Sequence, residues 1–130
     1  MRAAPSPAVL HDAAVQLERM TADFTSELAV VWPVTRGRLD RPVLAAAGDA
    51  DHVGVMPSSV FRCGLQYGTQ GVVLAHNHRR STGPSGADLA VTRRLVAAGH
   101  VLGIPLLAHL VVEPGGVHDV VSGTTFTLVH

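Results

Sequence analysis

Two histidines stand one residue apart at the end of an apolar run, His76-Asn77-His78. In an extended strand, residues two apart point to the same face, so both imidazoles can converge on one point while Asn77 faces away. Neutral imidazole is a good zinc ligand. On its own the pair is also what an ordinary polar strand end contains. Downstream, Ser85-Gly86-Ala87-Asp88 opens a helical stretch, and its hydroxyl and carboxylate, three residues apart, share one face. The same two residues make an acidic capping box that stabilises a helix by about 1 kcal/mol and needs no function. The roles are compatible, because an N-cap pinned by backbone amides is a rigid mount for a ligand. Glu27 enters an apolar strand, where a carboxylate is usually just the solvated strand end. Taken together, His76, His78 and Asp88 would be three protein ligands with a fourth position left for water, the open form of a catalytic zinc site. Such a site needs a base, and Glu27 can be that base.

The elements that must position these groups are legible as patterns. Val9, Leu10, Ala13, Ala14, Leu17 and Met20 repeat at three and four residues, predicting an amphipathic helix from Pro7 to about Ala22, started by Ser6 or Pro7. Leu28–Val34 is a β-prone run that a turn at Thr35–Arg38 joins to a second run, Val43–Ala47, as a hairpin; Pro33 predicts an interruption or an edge. Gly48–His52 reads as a loop, and Pro57 to about Tyr67 as a short helix closed at Gly68. Gly71–Ala75 is a buried strand carrying the histidines at its end. After a polar loop from Asn77 to Pro84, a helix with Leu89, Ala90, Thr92, Leu95, Val96 and Val101 in its stripe runs to Gly103. Ile104–Val112 is a buried strand, and Val117–Val121 with Thr124–Val129 completes a meander. Interleaved strands and helices predict an α/β class, a single domain with one mixed β-sheet flanked by helices.

Composition bounds the function. The 130 residues are 47% hydrophobic and 15% charged, enough apolar surface for one sizeable core. Ten basic and ten acidic side chains give a formal net charge of +0, which disfavours nucleic acid and anionic membrane as partners. The lone Cys63 cannot form an internal disulfide or supply the thiolate pair of a zinc finger, and reads as a small core residue in a reducing compartment. No signal-peptide core and no membrane-length apolar run stand out, so a cytoplasmic protein is expected. A nucleobase deaminase is excluded, because that chemistry needs Glu after the first His and a Cys pair, where this chain has Asn77 and one thiol.

The order Glu27, His76-x-His78, Ser85-x-x-Asp88 resembles the JAMM motif of the JAB/MPN metalloproteases. Val55–His78, reading VMPSSVFRCGLQYGTQGVVLAHNH, and Ala87–Leu107, reading ADLAVTRRLVAAGHVLGIPLL, are similar to its RadC branch. The resemblance runs from about Phe24 to the C-terminus. It implies a layered, cytidine-deaminase-like architecture, Zn2+ held by His76, His78 and Asp88, Glu27 as general base and Ser85 as oxyanion stabiliser. It also places His109 in a strand neighbouring the site, in reach of a ligand. Only the Pro7–Ala22 helix lies upstream, so no helix-hairpin-helix region is expected, and the case for a DNA role weakens accordingly. Three departures stand out: Arg79-Arg80 where the family usually has Pro and Ser, a connection of residues 79–84 that is one residue short, and Ala108 in place of an Asp.

The resulting expectation is a zinc-dependent hydrolase of peptide or isopeptide bonds. Its substrate would be a protein or peptide such as the tail of a ubiquitin-like or sulfur-carrier protein. The alternatives are a weak or inactive MPN-type interaction module and, less favoured, a DNA-repair-associated protein. His11, His52, His118 and His130 have no partner at metal spacing and are expected in solvated positions, with His100 on the polar side of its helix.

Overall fold

The computed structural model describes residues 4–23, 26–48 and 55–128. Phe24, the loop expected after Gly48, His52, Val129 and His130 lie outside them. A helix α1 (Pro7–Thr21) is followed by β1 (Glu27–Thr35), β2 (Arg38–Leu39), β3 (Val43–Gly48), α2 (Pro57–Phe61), β4 (Gly71–Asn77), α3 (Gly86–Leu102), β5 (Leu106–Glu113), β6 (Gly116–Asp119) and β7 (Thr124–Phe126). The strands form one seven-stranded mixed sheet in the order β2-β1-β4-β5-β6-β7, with β3 also pairing β1. Among the paired strands only β4 and β5 run parallel, joined by the helical crossover α3. The expected mixed sheet between helices is what forms.

Alternation along the strands divides the core in two. Val30, Trp32, Val34, Val73, Ala75, Ala108, Leu110 and Val112 face α1, which contributes Ala13, Ala14 and Leu17. Ala29, Val31, Val72, Leu74 and Leu106 face the other way, onto Val60 and Phe61 of α2 and Leu95 of α3. The central strands therefore read as continuous apolar runs, as strands covered on both faces must. The one polar atom of Trp32 is matched, its indole N–H donating to Gln16 Oε1 at 2.9 Å.

Three expectations are adjusted. Pro33 lies in an interior strand, not at an edge: its carbonyl accepts from Asp40 N at 2.8 Å, so its missing N–H faces the side where β1's partner changes from β3 to β2. No ladder bond is lost there. The helix begun at Pro57 stops at Phe61 and tightens into a 3-10 turn over Arg62–Gly64, where a Cβ on Gly64 would stand 2.7 Å from Ile104 Cγ2. The stripe of α3 is narrower than its hydrophobic residues suggested. Thr92, Leu95 and Gly99 are buried, while Leu89, Val96 and Val101 are exposed. Gly99 decides this, because its backbone lies so close to Ile104 that a Cβ would come within 2.4 Å of the carbonyl oxygen. None of the helices described is long and apolar enough to cross a membrane.

Candidate metal centre

The face of the sheet that α3 covers also carries the histidines. On β4, Val72 and Leu74 point toward α3, and the strand period of two puts His76 and His78 on the same side. Asn77 turns away, its Oδ1 accepting from Leu28 N at 2.7 Å and closing the β1–β4 ladder. Parallel pairing of β4 with β5 aligns Leu74 with His109 and His76 with Val111, so the alternate residues His109, Val111 and Glu113 share that face.

The opposite wall is the start of α3. Ser85 is its N-cap, with its Oγ accepting from Asp88 N at 3.1 Å and its own N–H donating to Asp88 Oδ2 at 2.7 Å, the reciprocal capping box expected from Ser-x-x-Asp. The pinned Asp88 carboxylate reaches both imidazoles: Oδ1 lies 3.2 Å from His76 Nε2, and Oδ2 lies 3.3 Å from His78 Nε2. The two Nε2 atoms are 3.1 Å apart. Ligand atoms bound tetrahedrally to one ion at about 2.0–2.1 Å stand about 3.3 Å from one another. The two imidazole nitrogens are thus spaced about as two ligands of one ion are, with the Asp88 carboxylate facing both, and the donor set of His76, His78 and Asp88 can hold a metal ion.

The hydrogen-bond directions support the same conclusion. The Thr92 hydroxyl donates to the Asp88 carbonyl at 2.8 Å, leaving its oxygen to accept from His109 Nδ1 at 2.6 Å. His109 is therefore protonated on Nδ1, and its Nε2 accepts from His76 Nδ1 at 2.9 Å. With its single proton on Nδ1, neutral His76 presents a bare Nε2 to the centre. Burial, followed by the neighbouring His76, pushes the His109 pKa down to about 3, which keeps that ring neutral. For Asp88, burial raises the pKa, but the adjacent His76 ring and the Ser85 amide outweigh it. Its carboxyl is held well below the usual range and remains a ligand anion.

Glu27 begins β1 and is buried. Ala29 pairs with His76, and two further residues along this antiparallel register bring Glu27 level with His78 on the same face. Ser85 is exposed at the rim. Ala108 points into the α1 side of the core, on the opposite face from His109, so the departure from Asp at that position does not touch the site. His109 lies beside the cluster, its Nε2 2.9 Å from His76 Nδ1. His118 is not in a purely solvated position: it is half-buried, with Nε2 3.1 Å from Glu113 Oε1. Thr92 and Glu113 were not singled out from sequence. Thr92 reads as an ordinary member of a helix stripe, and the partners of Glu113 become visible only once β5 lies beside β4.

The chain matches the model of the RadC-like JAB domain over residues 8–123. It is 34% identical over 86 residues to a UPF0758 protein of Carboxydothermus hydrogenoformans, covering 65% of this chain and 38% of that protein. It is 48% identical over 63 residues to one of Symbiobacterium thermophilum, covering 48% of this chain and 27% of that protein. The matched segments thus span well under half the length of these curated relatives. With the family model covering most of its residues and the His-His-Asp cluster assembled on the sheet, the chain belongs to the RadC-like JAB domain family.

Proposed function

We propose that the chain is a zinc-dependent hydrolase of peptide or isopeptide bonds, acting on a protein or peptide tail of the ubiquitin-like or sulfur-carrier kind. The observation that carries this is the convergence of His76 Nε2 and His78 Nε2, 3.1 Å apart, on the Asp88 carboxylate, whose Oδ1 and Oδ2 lie 3.2 and 3.3 Å from them respectively, beside the buried Glu27. Zinc held by these three residues would supply Lewis acidity, lowering the pKa of water to about 7 and polarising a scissile carbonyl. Glu27 takes the proton from the attacking water and returns it to the leaving amine. The hydroxyl of Ser85 accepts from Asp88 N and keeps its own hydrogen to donate, which suits it to an oxyanion forming at the rim.

The test is metal analysis joined to peptide cleavage. Protein purified without chelator should carry zinc, and His76→Ala should lose it while keeping the fold. Glu27→Gln should keep the metal and lose about 10²–10⁴-fold in cleavage rate, because an amide cannot accept the proton. Ser85→Ala should lose roughly 10–1,000-fold, with about 1 kcal/mol of cap stability. Zinc uptake without turnover on peptide and isopeptide panels would favour the interaction module instead.

A further inference from the structure

Glu113 takes no part in the proposed chemistry, yet its carboxylate has three partners beside the site. Its side chain is 3% exposed at the end of β5. Oε2 lies 2.9 Å from His78 Nδ1, and Oε1 lies 3.1 Å from both Gly83 N and His118 Nε2. We propose that Glu113 is a positioning residue that fixes His78 in the Nδ1–H tautomer, baring Nε2 toward the metal centre, and ties that ring to the connection that delivers Asp88. This deepens the metal-site part of the proposed function.

A carboxylate only accepts, and of the two that face the ring Glu113 stands nearer, 2.9 Å from Nδ1 against 3.3 Å from Nε2 to Asp88, so the hydrogen of a neutral His78 belongs on Nδ1. A neutral imidazole has one N–H, which leaves His78 Nε2 with a lone pair. The two ligand rings reach the same state by different routes: His76 is backed by the neutral His109 and His78 by an anion. The anionic partner makes its ring the more basic ligand. The second role follows from Gly83, whose φ of +73° suits glycine and whose N–H donates to the same carboxylate. The Ser81 hydroxyl donates to the Pro114 carbonyl just beyond Glu113. Residues 79–84 are therefore fastened to the end of β5 at two points. The short connection is held where Asp88 meets both imidazoles. His118, from the neighbouring strand β6, engages the carboxylate as a third partner.

Replacing Glu113 by Gln separates this role from a merely structural one. The Gly83 amide is an obligatory donor, so the Gln oxygen must turn toward it, and the Gln NH2 then faces His78 Nδ1. Two donors cannot share that contact, and His78 must move its proton to Nε2, where it blocks the metal.

Long-range proton–nitrogen spectra of the imidazoles decide the matter in metal-free protein, above the pH range where imidazole protonates, with His78 assigned from His78→Asn. The wild type should show His78 as Nδ1–H and Glu113→Gln as Nε2–H, and chelator competition should find zinc bound roughly 10–100-fold more weakly by the variant. An Nε2–H tautomer in the wild type overturns the proposal, as does a Gln variant that keeps both the wild-type tautomer and the wild-type zinc affinity. If the Gln variant does not fold, the wild-type tautomer alone decides. Wild-type protein with His78 as Nδ1–H that takes up no zinc supports the role of Glu113 and refutes the metal reading.

Discussion

His109 is the residue at which the candidate metal centre joins the fold. Its ring is wedged between the Thr92 hydroxyl and His76 Nδ1, and its backbone N–H donates to Asp119 Oδ1 at 3.2 Å. Burial and the adjacent His76 depress its pKa to about 3 against about 6.5 for a free imidazole. Between those values the unfolded chain binds a proton that the folded chain refuses, so folding stability falls as pH drops through that window. Metal-free protein should therefore lose stability from about pH 6.5 downward, at up to roughly 1.4 kcal/mol per pH unit from this group. Urea titrations across the window should show that slope, and a His109→Gln variant should show a shallower one. An equal slope in both would place the acid sensitivity elsewhere.

At the scale of elements, α3 and the connection before it do the positioning. The helix rests on the sheet along Thr92, Leu95 and Gly99 and carries Asp88 at its first turn. A methyl group at Gly99 would meet the Ile104 carbonyl oxygen at 2.4 Å, and backbone cannot move aside as a flexible side chain can. Gly99→Ala should cost about 1–3 kcal/mol in chemical denaturation and weaken metal uptake by lifting the helix that bears Asp88. The connection itself exposes Arg79 and Arg80, which form no ion pair among the described residues. Guanidinium forks beside the proposed hydrolytic site suit a carboxylate, so these two should favour acidic residues or a free C-terminus near the scissile bond. Replacing both by Ala should raise KM for acidic peptides while leaving zinc content unchanged, and added salt should weaken wild-type binding of the same peptides. Equal KM values across acidic and neutral peptides would make both arginines simple solvated surface. Salt-sensitive binding of single-stranded DNA lost in the double variant would instead point to nucleic acid.

For the whole molecule, the candidate ligands come from the end of β4, the residue after it and the start of α3, so metal binding should report on global stability. An ion at about 1,000 times its Kd adds about 4.1 kcal/mol, and chelator should lower Tm cooperatively while His76→Ala becomes insensitive to it. A Tm that ignores both zinc and chelator would mean that no such site closes. Local periodicity was enough to place much of this architecture. The alternation of a strand brings His76 and His78 to one side, the three-residue spacing of Ser85 and Asp88 makes the capping box, and the heptad-like pattern from Val9 to Met20 makes α1. These depend on backbone geometry over a few residues and are written in the order of side chains. Other features depend on register between distant segments. Parallel pairing of β4 with β5 is what sets His109 behind His76 and Glu113 behind His78, across 33 and 35 positions of sequence. The same registry turns Ala108 away from the site, and the close seat of Gly99 on Ile104 narrows the buried stripe of α3. The ligand types and their local presentation were thus determined by the sequence alone. Which protons those ligands carry, and what holds them, was decided only by the tertiary structure, because a hydrogen-bond direction is set by partners that nothing local brings together.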